Sequence, residues 1–203
     1  MNRTEFKMLN EDLENMTQFI NSPNAKTKYK EILKKYKSFT DKSVMYSYYD
    51  IRFAIPNEKL LLEELKTNLK NKNKQTLMYV FLPNLMDNYY KDSDAISKTV
   101  SDIKSLLKTN MSVNLTPLLL TSDYYFYNNC LIFYCETTKA KKVYKRLKAI
   151  FKKVEYSHTI KFVELEKDRY SKPLKIFDDS YKKALELINN DNKIEKDDGD
   201  INE

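Results

Sequence analysis

Glycine occurs once in this sequence, at Gly199; tryptophan is absent, histidine occurs once and cysteine twice. Glycine is what lets a backbone take a positive φ or approach a phosphate closely. With none before position 199, the chain can hold no GxxxxGK[ST] phosphate loop, no GxGxxG dinucleotide fingerprint and no GxSxG nucleophile elbow. That excludes the commonest nucleotide-using and hydrolytic enzymes. The single histidine, His158, and the CxxxxC spacing of Cys130 and Cys135 make no zinc site, and no other metal or cofactor is expected. Five residues apart on a predicted strand, the two cysteines point to opposite faces and cannot bridge each other, so they read as buried reduced thiols.

Long apolar runs are also missing. Nothing approaches the roughly 20 residues of a membrane span, and the opening MNRTEFKMLNEDLENM has no apolar signal region. The expectation is an intracellular protein without a membrane partner.

What is present is aromatic and basic. Hydrophobic residues make up 41%, and the aromatic 13% is all Tyr and Phe, enough to build one core without disulfides. Richness in Lys, Asn and Tyr with little Gly points to an AT-rich genome. A single domain is expected over 1–190, with residues 191–203 a disordered acidic tail of net charge −4.

Periodicity orders the elements. Phe6, Leu9, Leu13, Met16 and Ile20 recur at helical steps, and after NSPN a second helix carries Tyr29, Ile32, Leu33, Tyr36 and Phe39. These form an antiparallel helix pair over 1–40. SVMYSYYDIRFAIP (43–56) reads as a strand, Asn57 caps a helix through Leu69, and QTLMYVFLP (75–83) is a strand buried on both faces. The loop PNLMDNYYKD follows, then a helix capped by Ser93 with Ile96, Val100, Ile103, Leu106 and Leu107 on one side. SVNLTPLLLT reads as an edge strand because Pro117 cannot donate to a ladder.

In YYFY-NN-CLIFYC, Asn128 and Asn129 separate two apolar runs, and Asn tolerates positive φ, so this is a two-residue hairpin. Tyr124 and Phe126 fall on one face, Tyr125 and Tyr127 on the other; a strand apolar on both faces is core, not a base-stacking platform. A basic helix, the strand HTIKFVEL (158–165) and a helix over 180–188 complete the chain. Strand–helix alternation implies some parallel pairing. The fold class expected is therefore α/β, with a mixed, partly parallel five- to six-stranded sheet, flanking helices and the N-terminal helix pair.

Charge is concentrated in one element. Lys139, Lys141, Lys142, Lys145, Arg146, Lys148, Lys152 and Lys153 lie within fifteen residues containing no acid; that segment carries +8 against a whole-chain +7, leaving −1 elsewhere. Ala140, Val143, Tyr144, Leu147, Ile150, Phe151 and Val154 form an arc of about 120° on the same helix, so one face is buried and the other wet. Like charges at i,i+4 cost a few tenths of a kcal/mol per pair, and an unmixed cationic face is best explained by an anionic partner, against the bland reading of a solvated face in a Lys-rich chain.

Catalysis finds no motif. Around VELEK the acids Glu164 and Glu166 are misplaced relative to Lys167 for a metal-dependent nuclease, and no nucleophile can be set beside His158. A small ligand or interface site could use Asn84, Asp87, Tyr89, Tyr90 and Lys91, at the carboxyl end of a buried strand. The expectation is a non-enzymatic protein. Its basic helix (139–153) binds the phosphate backbone of DNA or RNA without sequence preference; alternatively, it docks an assembly subunit on an acidic partner protein.

Overall fold

The computed structural model describes residues 25–70, 73–166 and 172–197. The chain divides into two units, Met1–Ile51 and Arg52–Glu203. In the first, helix α1 spans Ala25–Tyr48 and a two-residue strand, β1, spans Tyr49–Asp50. The expected first helix of the N-terminal pair, over residues 5–20, lies outside the described residues. The strand expected over 43–56 is corrected: helix α1 continues through Ser43–Tyr48, since each residue added to a formed helix gains a hydrogen bond and overrides weak β-propensity.

The second unit begins with a two-residue strand, β2 (Ile55–Pro56), and helix α2 (Glu58–Asn68). Asn57 caps α2 as the sequence indicates, its Oδ1 accepting from the Lys59 and Leu60 amides at 3.0 and 3.4 Å. Strand β3 (Gln75–Phe81) follows, then helices α3 (Leu85–Lys91) and α4 (Ser93–Asn110). Asp92 rather than Ser93 caps α4, through the Ala95 amide at 3.0 Å.

Residues 111–118 are a π turn and a 3₁₀ turn, not the expected strand; Pro117 sits in the 3₁₀ turn, where its missing N–H costs nothing. Strands β4 (Tyr125–Tyr127) and β5 (Cys130–Glu136) form the expected hairpin, with Asn128 at φ 51°. Helix α5 (Thr137–Phe151), strand β6 (Thr159–Glu164) and helix α6 (Pro173–Asp197) complete the described structure. Pro173 opens α6 at a position that favours it, and the helix runs on through residues 191–197 of the expected tail.

The sheet order is β4-β5-β3-β6, and β3 is antiparallel to both neighbours. This overturns the mixed, partly parallel sheet of five to six strands: the main sheet has four strands, all antiparallel, and the only parallel contact among the described residues is an isolated bridge, Asn57 to Phe126. The alternation was real but its geometry was not local. Strands β5 and β6 run the same way, joined by α5, yet β3 inserts between them. The resulting βα(α)ββαβ path is a split βαβ, or ferredoxin-like, arrangement.

Alternation along the strands sorts the core into two layers. Met78, Val80, Leu131, Phe133, Cys135 and Phe126 face α4 and α5. Leu77, Tyr79, Cys130, Ile132, Tyr134 and Tyr125 face α2 and α6. The two cysteines are buried on opposite faces and unbridged, as their spacing requires. Buried phenols keep partners: Tyr79 donates to Ser180 Oγ at 2.9 Å and Tyr134 donates to Gln75.

Candidate interaction surface

Helix α5 lies with Ala140, Val143, Leu147, Ile150 and Phe151 buried in the core. Its opposite face carries Lys141, Lys142, Lys145, Arg146 and Lys148, continued by Lys152 and Lys153 in the following turn, all exposed. Lys139 differs: half-buried, it pairs with Glu136 at 3.6 Å at the start of the helix. Among the described residues no carboxylate stands within ion-pair distance of the other seven. The cations near the carboxyl end suit the helix dipole, whereas no acid occupies the first turn. The uncompensated ridge inferred from the sequence is present, less Lys139.

One edge of this face meets the sheet. The Tyr144 ring packs edge-on against Phe162 of β6, centroids 5.9 Å apart, and Phe162 remains 44% exposed. Tyr144 belongs to the helix's apolar arc yet is only half-buried, and the exposed aromatic corner it makes with Phe162 has no signal in the sequence, because it depends on which strand ends the sheet.

The residues proposed for a ligand loop form a helix instead. Asn84 is exposed at φ 57° and leads into α3 without capping it. The cap comes from across the sheet: Asn129 Oδ1 accepts from the Met86 amide at 2.8 Å, and the Asn129 carbonyl accepts from the Leu82 amide at 2.7 Å. Tyr89 turns onto the core and meets Phe53 at 5.4 Å, whereas Asp87, Tyr90 and Lys91 are exposed, Tyr90 to 77%. Tyr156 stitches the same end, donating to the Pro83 carbonyl at 2.9 Å and accepting from Asn88 at 3.0 Å. The five residues therefore do not converge on one site.

Two clefts remain. One of about 520 Å³ is lined by Ser101, Lys104, Ser105, Lys108 and Asp123, but the Lys104 ammonium is held by the Phe53 carbonyl at 2.7 Å. The other, about 370 Å³, lies beside Lys153 and is lined by Asp102, Glu155 and Tyr156. In the first, the Ser122 hydroxyl donates to the carboxylate of its neighbour Asp123 at 3.3 Å, and among the described residues no group of three His, Cys, Asp or Glu could hold a metal. His158 takes a structural place, its Nδ1 3.0 Å from the Tyr156 carbonyl and its ring against Phe151. Burial pushes the Cys135 thiol up to about 12 and Cys130 higher still, so both stay protonated and inert. No described helix is long and apolar enough to cross a membrane.

The class is an antiparallel α/β domain of split βαβ topology that carries a basic helix face. Solved structures share that fold. The chain is similar to the S helix-GGDEF-EAL portion of LapD from Vibrio cholerae bound to c-di-GMP, at TM-score 0.56 and 12% identity over 72% of this chain and 36% of that one. The apo form of the same protein matches at TM-score 0.50 and 11% identity, over 66% and 33%. The diguanylate cyclase SiaD from Pseudomonas aeruginosa, in complex with its activator SiaC, matches at TM-score 0.50 and 11% identity, over 91% of this chain and 77% of that one. The chain thus spans about a third of the LapD chains, and at these identities the likeness is one of fold. No family model and no curated protein matches the chain.

Proposed function

We propose that this protein is a non-catalytic interaction module whose basic α5 face docks on an acidic partner protein. The observation that carries the reading is the row of seven exposed cations on a helix whose other side is locked in the core, with no carboxylate of the described chain to neutralise them. One protein of similar fold was solved with an activator protein bound, which supports a protein partner.

The nucleic-acid reading of the same lysines is weaker. Tyr125 and Phe126 are buried, so the hairpin offers no base-stacking platform, and the aromatic exposed beside the cations, Phe162, is a single ring held edge-on by Tyr144. The test sets polyglutamate against duplex DNA and single-stranded RNA at near-physiological salt, for the native chain and a variant with Lys141, Lys142, Lys145 and Arg146 changed to glutamine. Polyglutamate should bind the native chain and lose most affinity in the variant. Binding of DNA or RNA alone, with log affinity falling at a slope near −3 to −4 against log salt, would assign the face to phosphates and end the protein-partner reading.

A further inference from the structure

Beside the basic face lies an unpaired sheet edge. Strand β6 is the last on its side, and among the described residues nothing pairs with its outer edge. The Leu165 amide donates to the Gln75 carbonyl at 2.8 Å, and the register continues with Val163 opposite Leu77, Lys161 opposite Tyr79 and Thr159 opposite Phe81. Hydrogen-bonded pairs alternate along an antiparallel ladder, so these are the residues bonded to β3. The backbone N–H and C=O groups of Ile160 and Phe162 point the other way, outward, and no group of the described chain meets them.

Sheet edges are ordinarily blunted by bulges, prolines or outward charges. This edge is regular over Thr159–Glu164, and of its three outward-bonding residues Ile160 and the half-exposed Phe162 are apolar, while Glu164, at the end, pairs with Lys74 at 2.7 Å. Phe162 leans on Tyr144, and one helical turn to either side of Tyr144 stand the exposed Lys141 and Lys148. Unsatisfied backbone groups, an apolar contact and flanking cations thus share one corner.

We propose that β6 is a strand-addition site. An extended, acidic segment of a partner protein pairs with its outer edge, placing an apolar side chain on Phe162 and Tyr144 and carboxylates toward Lys141 and Lys148. The proposal rests on the protein-partner reading of α5 and supplies what lysines as point charges lack, namely direction and register: main-chain bonds align the segment and alternate side chains select it.

The test uses the full chain and a labelled, end-blocked peptide alternating glutamate and valine. Two controls accompany it: the same peptide N-methylated at alternate amides, and a lysine–valine counterpart. Anisotropy should show the acidic peptide binding and N-methylation weakening it roughly tenfold or more, the loss of a few main-chain bonds. Hydrogen exchange at the Ile160 and Phe162 amides should slow on binding. The Ile160→Pro variant, which removes only an outward N–H and leaves the β3 ladder intact, should bind as weakly as the N-methylated peptide. Equal binding of the methylated peptide with unchanged exchange would overturn strand addition and leave the α5 reading standing. Failure of every acidic peptide would overturn both. Slow exchange of those two amides in the free chain would show the edge already covered, by the chain itself or, where protection grows with concentration, by a second copy; either result overturns the proposal.

Discussion

Asn128 and Asn129 are neighbours with different tasks. Asn128 supplies the left-handed conformation that the hairpin needs, at φ 51°, in a chain with no glycine to spare there. Asn129 supplies an oxygen to the amino end of α3, accepting from the Met86 amide 43 positions earlier. The first role was readable from the dipeptide alone, because a two-residue turn is a local constraint; the second was not, because its partner is distant in sequence. Asn128→Val should cost about 1–2 kcal/mol, the steric penalty of a left-handed residue with a Cβ branch, and Asn128→Gly should be tolerated. Asn129→Ala should cost about 1 kcal/mol, as for a lost helix cap. Urea unfolding midpoints check both, and an unmoved midpoint for Asn129→Ala would mean that the cap contributes nothing.

Helix α5 was the element most legible in the sequence, since its stripe and its charges repeat with a period that depends only on the helix. Its unmixed face carries a cost that can be measured. Lys141→Glu would place a carboxylate one turn before Lys145, in the favourable order, and should stabilise the fold by roughly 0.2–0.5 kcal/mol while weakening binding of acidic peptides. A variant that gained stability and kept full affinity would show that this end of the ridge is idle. Other elements resisted the same treatment. Residues 84–91 look like a loop until Asn129 caps them, and residues 111–118 look like a strand because Leu and Val suit strands as well as helical turns.

For the whole molecule, burial of weak acids sets the response to alkali. Cys130, Cys135, Tyr79 and Tyr134 all hold their protons more tightly in the fold than in free chain, in each case chiefly through desolvation. In the unfolded chain the thiols ionise near 9.0, while in the native state Cys135 waits until about 12. The native state therefore binds more protons above pH 9, so this stabilisation is complete below pH 9 and declines as pH rises toward 12. Melting temperature should be level from pH 7 to about 8.5 and fall beyond it, and native thiols should resist alkylation until the fold opens. A melting temperature unchanged to pH 11, or rapid native labelling at pH 8, would contradict the buried placement of the cysteines.

What the sequence determined by itself is whatever short-range periodicity and backbone chemistry dictate: the hairpin at Asn128–Asn129, the cap at Asn57, the two-sided burial of β3 and β5, and a cationic helix face backed by an apolar one. Only the tertiary structure decided that β3 slips between β5 and β6, making the main sheet antiparallel throughout and leaving β6 as its last strand among the described residues, beside Lys141 and Lys148. Neighbour choice in a sheet is a competition among distant segments for the same hydrogen bonds and the same apolar layer, and no stretch of either strand records which segment wins.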